Sequence, residues 1–179
     1  LQRREDSLPA AKVTAFNLLG YRYARDLQKN PDAEKRFGIY KKYGETFCRK
    51  VLRHKSFQGQ AVWAFKGAAG LLFQAAKPRG LKCIYEQFSA PEKIMHQLFQ
   101  DEHARWHAWE SRYQGNAVEA MSVEIEERDW SLADLVICGS EFVRQGLISQ
   151  KVAQDLIRVV PYGIEVSRYA AKIQPWDGQ

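Results

Sequence analysis

The side chains best suited to ligand binding are Glu86, Gln87 and Ser89, which directly follow the apolar run of residues 81–85. A second polar pair, Ser140-Glu141, follows another short apolar run in the same way. Short continuous apolar runs are typical of strands in a parallel sheet covered on both faces. In an open parallel sheet, ligands bind where the carboxyl ends of the strands meet. The sequence therefore predicts a site of carboxylate, amide and hydroxyl groups at that edge.

Two predicted strand–helix–strand units place these groups in one sheet. The first joins strands 61–65 and 81–85 through a small-residue helix over 67–76. The second joins strands 135–138 and 156–160 through a helix that Ser140 caps, and Pro161 ends its last strand. Short connections favour parallel pairing, so we expect an α/β fold with a Rossmann-like parallel sheet and flanking helices. The small-residue helix lacks a G-x-G-x-x-G fingerprint, which argues against dinucleotide binding.

The first third of the chain is basic and helical. Residues 1–60 hold 14 Lys and Arg against 6 Asp and Glu. Aromatic and apolar residues recur at steps of three and four over 10–28 and 33–53, which predicts two amphipathic helices. The second helix either packs its aromatic stripe onto the domain, which the spacing favours, or lies on an anionic surface. In both cases a basic face remains for headgroups or solvent, formed by Lys41, Lys42, Arg49, Lys50 and Arg53.

Composition indicates a folded protein with a substantial core. Hydrophobic residues make up 45% of the 179 residues, and no apolar run reaches the roughly 18 residues of a membrane span. Cys48, Cys83 and Cys138 are widely spaced within or beside apolar runs. We expect buried thiols in a reducing compartment, and the cytoplasm fits best.

Two further clusters are expected to be structural. His103 and His107 are four residues apart on a helix predicted over 92–112, but Ala104 replaces the glutamate of a zinc-protease motif, so no metal is expected. Trp106 and Trp109 on the same helix are interpreted as a packing stripe, with an acceptor-binding surface as the alternative. The acidic run on the helix over 117–132 is interpreted as a solvated face. Its members are Glu119, Glu124, Glu126, Glu127 and Asp129.

Several of these segments, taken in order, resemble a known family. The segments are Ala133-Asp134-Leu135-Val136-Ile137, Ser140-Glu141-Phe142 and Val159-Val160-Pro161-Tyr162-Gly163-Ile164, preceded by the strands that contain Trp63 and Tyr85. Together they look like the end of the N-terminal domain of GT-B glycosyltransferases, closest to the retaining family 4 (group 1) enzymes. The resemblance covers residues 61–170. It implies Rossmann-like units over 59–170 and the start of an interdomain linker over 171–179, preceded by the basic helical part over 1–58.

The resemblance also implies a function. Such enzymes, several of them in polysaccharide biosynthesis, transfer a hexose from a nucleotide-sugar to a saccharide or lipid-linked hydroxyl without a metal or other cofactor. A second domain supplies the basic residues and the E-x7-E carboxylates for the donor, so this chain is expected to be an acceptor-side fragment, truncated at both ends and inactive alone. The implied acceptor-side cleft contains Glu86, Gln87, Ser89, Ser140 and Glu141, with Tyr162 and Gly163 at the hinge. Some relatives carry a histidine where Glu86-Gln87 stands, so no catalytic histidine transfers.

Location and the alternative function both depend on the basic helix. As a transferase, the protein is expected in the cytoplasm, with peripheral contact to the inner face of the membrane as a further possibility. The alternative is a basic α/β binding module that docks on an anionic membrane or on nucleic acid. No helix-turn-helix, zinc-finger or RNA-recognition signature is present, so nucleic acid is not an expected partner.

Overall fold

The computed structural model describes Pro9 and residues 12–54, 57, 59–109 and 117–164. Six α-helices and four strands lie within these ranges. In chain order they are α1 Asn17–Gln28, α2 Ala33–Arg53, β1 Ala61–Phe65, α3 Ala69–Ala76, β2 Lys82–Gln87, α4 Glu92–Arg105, α5 Ala117–Ser131, β3 Leu135–Cys138, α6 Glu141–Ser149 and β4 Ile157–Val159.

The four strands form one parallel sheet in the order β1-β2-β3-β4, which confirms the predicted α/β fold. β1 and β3 have the predicted bounds, and β4 is shorter by one residue at each end. β2 continues to Gln87, two residues beyond the predicted end. Glu86 and Gln87 therefore belong to the pleated strand itself and not to the loop that follows. Because successive strand residues point to opposite faces, these two neighbours diverge.

A single core lies on one face of the sheet. Right-handed crossovers between strands in a continuously increasing order place the connecting helices on the same side. The buried residues agree with this rule, since one cluster contains inward residues of all four strands together with Phe73 of α3, Trp130 of α5 and Leu147 of α6. We call this side of the sheet the covered face.

The other side, the open face, carries Trp63 and Phe65 of β1, Ile84 and Glu86 of β2, Leu135 and Ile137 of β3 and Arg158 of β4. Trp63 and Phe65 are more than half exposed, whereas the aliphatic residues of the central strands are partly buried. Parallel sheets usually have both faces covered, so exposed aromatic side chains at this position are unusual. They leave apolar surface accessible on the open face.

The N-terminal helices α1 and α2 form an antiparallel hairpin through their aromatic stripes. Phe16 packs edge-on against Phe47 with ring centroids 5.8 Å apart, and Tyr23 lies 5.6 Å from Tyr43. The Tyr43 hydroxyl donates a 2.6 Å hydrogen bond to Asp26 of α1. The favoured interpretation, a stripe that packs onto the domain, therefore holds for Phe47, whose partner in the domain is α1.

α2 contacts the sheet part of the domain through the side that carries Gly44, Cys48 and Val51. Cys48 is fully buried in the core cluster, and its thiol lies 3.5 Å from the Ala68 carbonyl oxygen. Gly44 permits a close approach here, because a methyl group at this position would lie 3.1 Å from the carbonyl oxygen of Gly67. α2 is thus sandwiched between α1 and the sheet domain.

The tryptophans after α4 do not form the predicted packing stripe. α4 ends at Arg105, and the end predicted at residue 112 lies outside the described ranges. Trp106 and Trp109 follow the helix in a turn and are 55% and 89% exposed. Leu98 and Phe99 within the helix are also exposed, since α4 packs mainly on α5 and contributes no fully buried side chain.

Candidate functional site

Glu86 lies on the open face at the carboxyl end of β2, where the fold favours ligand binding. Its Cα is the register partner of Phe65 in β1. The indole nitrogen of Trp63, two residues earlier in β1, donates a 2.8 Å hydrogen bond to one Glu86 carboxylate oxygen. A carboxylate has about four lone-pair sites, so this bond leaves acceptor capacity for a ligand.

Tyr162 approaches the same carboxylate from the segment after β4. Burial is the largest cause that raises the pKa of Tyr162. The negative charge of Glu86 and a hydrogen bond to its carboxylate raise this pKa further. The ring lies directly over Gly139, where an added methyl group would come within 2.5 Å of the ring carbons. Gly139 follows β3 and has no side chain, which leaves room for the Tyr162 ring at the strand end, close to Glu86. Residues from β1, β2 and the chain after β4 therefore converge here.

Two phenylalanines extend this group. Phe65 and Phe88 form an edge-to-face pair with ring centroids 6.4 Å apart. Trp63, Phe65, Phe88 and Tyr162 are 55%, 54%, 59% and 60% exposed, respectively. We call these four rings, with Glu86 among them, the aromatic patch. A contiguous group of exposed aromatic side chains around a carboxylate is typical of a binding surface.

Gln87 lies on the covered face and is buried, so the prediction of an accessible cleft residue does not describe its position. Its amide oxygen accepts a 3.0 Å hydrogen bond from the Trp130 indole. Its amide nitrogen donates to the Ser89 carbonyl oxygen at 3.1 Å and to a Glu126 carboxylate oxygen at 2.8 Å. These bonds fix the path of the loop after β2, which includes Ser89 and Phe88.

Glu126 of α5 is the buried anchor of that loop. One carboxylate oxygen accepts from Gln87, and the other accepts a 2.7 Å hydrogen bond from the backbone N–H of Glu92. Glu92 is the first residue of α4, and the residue before it, Pro91, provides no capping side chain. A carboxylate from α5 therefore caps α4 and lies at its positive end. Burial raises the pKa of Glu126, and the hydrogen bonds from Gln87 and Glu92 oppose that shift.

Asp129, one turn further along α5, is also fully buried. One of its oxygens pairs with the Arg128 guanidinium at 3.0 Å. The carboxyl group faces the backbone of Gly67, which adopts a left-handed φ of 88°, and it packs against Gly70 of α3. Burial raises the pKa of Asp129.

The interpretation of the acidic run as a solvated face is therefore wrong for Glu126 and Asp129. These two residues lie three apart, so they share the side of α5 that faces the sheet. The spacing itself is visible in the sequence. Their burial is not, because isolated carboxylates are seldom buried and the polar partners come from distant elements.

The remaining cleft candidates have local roles. The Ser140 hydroxyl accepts a 3.3 Å hydrogen bond from the Val143 N–H and caps α6, as predicted. Glu141 is exposed and pairs with Arg144 at 2.7 Å. Gly163 is exposed, with open space where a side chain would extend. Ser89 is partly buried beside Gln87. Among the predicted cleft and hinge residues, only Glu86 and Tyr162 meet in the aromatic patch.

The basic face of α2 has the predicted exposure. Lys41, Lys42, Arg49, Lys50 and Arg53 are all exposed. The first three line a shallow groove along the helix together with Gly38, Glu45 and Thr46. The Lys50 ammonium lies 5.6 Å from the centre of the Phe16 ring, so it also helps to hold α1 in place.

Metal-binding clusters and membrane-spanning helices are not found in the described part of the chain. No group of three or more His, Cys, Asp or Glu side chains there is arranged to hold a metal ion. None of the described helices combines the length and apolar character needed to cross a bilayer.

The structure belongs to the α/β class, with a four-stranded parallel sheet and flanking helices. The chain matches no protein-family model, and no curated protein or solved structure resembles it significantly.

Of the four rings of the aromatic patch, the sequence predicted Tyr162 as a site residue but not Trp63, Phe65 or Phe88. Trp63 and Phe65 alternate with smaller residues in the run Ala61-Val62-Trp63-Ala64-Phe65. This period of two is a usable signal, because it separates the side chains of a strand into two faces. Because the run was predicted to be a strand buried on both faces, the exposure of Trp63 and Phe65 was not predicted.

Proposed function

We propose that this chain forms the acceptor-binding side of a retaining glycosyltransferase that moves a hexose from a nucleotide-sugar to a saccharide or lipid-linked hydroxyl. The observation that carries the proposal is the position of Glu86. Its carboxylate lies at the carboxyl edge of a parallel sheet, is held by the Trp63 indole and is approached by Tyr162. The ordered resemblance of residues 61–170 to family 4 enzymes supports the same assignment.

In this function Glu86 binds the acceptor. A carboxylate accepts strong hydrogen bonds from sugar hydroxyls, because charge-assisted bonds are about twice as strong as neutral ones. Two or more such bonds would orient the attacking hydroxyl, and orientation accounts for a large part of the rate in group transfer. Tyr162 adds a hydroxyl that donates and accepts. Gln87 and Glu126 act through the loop that they hold in position and do not contact the acceptor.

The resemblance assigns binding of the donor to a second domain. In the family, the second domain binds the nucleotide-sugar, and positive charge with helix N-termini stabilises the leaving diphosphate. The proposal therefore gives the described residues acceptor binding alone. No metal or cofactor is part of it.

The test is sugar transfer by the protein expressed from its natural gene. Labelled nucleotide-sugars are offered with a panel of saccharide and lipid-linked acceptors, and the product's anomeric configuration is determined by NMR. Glu86→Gln and Tyr162→Phe should each raise KM for the acceptor about tenfold, while KM for the donor changes little. Glu127→Gln is the matched control, since Glu127 is exposed on α5 and pairs with Lys93 at 2.6 Å. Absence of transfer from every donor, or acceptor kinetics unaffected by Glu86→Gln, would overturn the proposal.

A second candidate function is supported by the N-terminal hairpin. Residues 12–54 contain eleven Lys and Arg against four Asp and Glu. Leu18 and Tyr21 of α1 are exposed beside this charge. Positive charge with exposed apolar side chains suits the surface of an anionic bilayer, where each basic residue contributes about 1 kcal/mol.

Vesicle flotation tests this second function. Lys41→Glu combined with Lys42→Glu should abolish association with phosphatidylserine vesicles, and Lys93→Glu on α4 is the control. Association with neutral phosphatidylcholine vesicles at equal strength would contradict an electrostatic surface. Steeply salt-dependent binding to duplex DNA in place of vesicles would favour a nucleic-acid module.

A further inference from the structure

We infer that the exposed rings of Trp63, Phe65 and Phe88 form a stacking surface for a neutral pyranose ring, with Glu86 as the acceptor for its hydroxyl groups. This inference rests on the proposed function and specifies how the acceptor is held. It adds three residues that neither the spacing nor the resemblance assigned to the site.

Trp63 is the main stacking residue. Its indole N–H is committed to Glu86 at 2.8 Å, which fixes the ring orientation across the open face. The ring is nevertheless 55% exposed, so apolar surface remains available. A ring fixed before binding loses little conformational entropy when a ligand arrives. Trp63 is therefore preorganised for contact with a flat, partly apolar ligand.

Phe65 and Phe88 provide the second surface. Phe65 is the register partner of Glu86, and Phe88 follows β2 by one residue. Their edge-to-face contact at 6.4 Å fixes the two rings relative to each other while each stays more than half exposed. Rings thus lie beside Glu86 in β1 and beyond it toward the carboxyl edge.

A saccharide matches this combination of groups. The C–H bonds on one face of a pyranose carry partial positive charge and are attracted to the negative face of an aromatic ring. The hydroxyls at the rim of the same sugar donate to a carboxylate. A purely apolar ligand would remove water from the lone pairs of Glu86 that Trp63 does not occupy, which is costly. A cation would also satisfy Glu86 and the rings through cation–π contact, so the test includes one.

The test measures binding by saturation-transfer NMR and tryptophan fluorescence on the protein expressed from its natural gene. The probes are methyl hexopyranosides, neutral gluco-, galacto- and manno-oligosaccharides, and tetramethylammonium chloride. At least one neutral oligosaccharide should bind. Trp63→Ala should weaken that binding about tenfold, and Trp63→Phe should retain part of it. Trp106→Ala is the matched control, because Trp106 is also 55% exposed but follows α4.

Phe88→Ala provides a variant outside the sheet, since Phe88 lies in the loop after β2, and circular dichroism checks that each variant folds. Saccharide binding that is unchanged in Trp63→Ala and Phe88→Ala would overturn the inference, as would binding of tetramethylammonium alone. The proposed function fails separately: Trp63-dependent saccharide binding without transfer from any nucleotide-sugar would remove the transferase and leave the sugar site. Transfer with an acceptor KM unaffected by Trp63→Ala would do the reverse.

Discussion

Gln87 donates a 2.8 Å hydrogen bond to the buried carboxylate of Glu126, which joins the last residue of β2 to the middle of α5. The second Glu126 oxygen accepts a 2.7 Å hydrogen bond from the Glu92 N–H. The two ends of the loop between β2 and α4 are therefore attached to one side chain. That loop carries Phe88 and Ser89 at the carboxyl edge of the sheet.

Glu126→Gln should alter how stability depends on pH. Burial raises the pKa of Glu126, and the charge of the Glu92 carboxylate raises it further. Hydrogen bonds from Gln87 and the Glu92 N–H, and the charge of the nearby Lys66 ammonium, lower it. A carboxyl with a raised pKa in the folded state stabilises the fold below its unfolded pKa of about 4.3, and this contribution is lost as pH rises through the folded pKa. The wild type should thus lose stability relative to Glu126→Gln from pH 4 upward. The loss should be about 1.4 kcal/mol for each tenfold difference between the acid dissociation constants of Glu126 in the folded and unfolded states.

Urea unfolding at several pH values measures this difference directly. Glu127→Gln, at the exposed neighbouring position, should follow the wild-type curve. Parallel curves for the wild type and Glu126→Gln across the range would show that the Glu126 carboxyl titrates normally.

Gly139→Ala should destabilise the protein by about 1–2 kcal/mol, because the added methyl group would overlap the Tyr162 ring at 2.5 Å. The cost should largely vanish in a Tyr162→Ala background, and a double-mutant cycle measures that coupling. Gly163→Ala is the control, since nothing lies within 4 Å of its added carbon. Equal costs in both backgrounds would place the strain somewhere other than this contact.

The three thiols should resist alkylation and disulfide exchange in the native protein. Burial raises the pKa of Cys48 to about 11 and raises the pKa values of Cys83 and Cys138, so thiolate is scarce at neutral pH. All three are free and buried, as the sequence predicted. Reaction of the native protein with a chromogenic disulfide at pH 7.5 should be slow, because each thiol reacts only after the protein unfolds. In denaturant, the reaction should reach three thiols per chain. Rapid native reaction of any one thiol would contradict this packing.

Asp134→Asn should cost about 1 kcal/mol at neutral pH. The Asp134 carboxylate accepts 2.7 Å and 2.8 Å bonds from the Lys77 ammonium and the Cys83 N–H, and these partners, Lys77 first, lower its pKa. A lowered pKa means that the stabilisation is present above the unfolded pKa of about 4 and is lost as pH falls through the folded value.

The Asp134→Asn deficit should therefore shrink in acid, and thermal unfolding from pH 7 downward measures it. Asp155→Asn, an exposed change before β4, is the control. A deficit that stays constant on acidification would mean that the charge of Asp134 contributes nothing.

Much of the architecture was predictable because it depends on local patterns. The apolar run 135–138, the cap at Ser140 and the run 61–65 each specify an element through neighbouring residues, and all appear with the expected type. Parallel pairing followed from the short strand–helix–strand spacing. Asp32 likewise caps α2 by accepting a 2.9 Å hydrogen bond from the Lys35 N–H.

The site was predicted in part, because contacts at the sheet edge join residues far apart in the chain. Glu86 was found from its place at the end of an apolar run. Its partner Trp63 is 23 residues away, and the pairing depends on the register of β1 against β2. Gln87 was expected to be an accessible cleft residue in a loop. Because β2 extends to Gln87, its side chain points to the face opposite Glu86 and enters the core.

By itself, the sequence determined the order and type of the elements, the parallel sheet, the exposed basic face of α2 and the buried thiols. These follow from apolar period, capping residues and charge, all of which act over a few neighbouring positions. Tertiary structure alone decided that Glu126 and Asp129 are buried, that α1 packs on the aromatic stripe of α2, and that Trp63 joins Glu86. Each outcome depends on which distant element fills the space beside a side chain, and free energies of burial and hydrogen bonding are set by those partners.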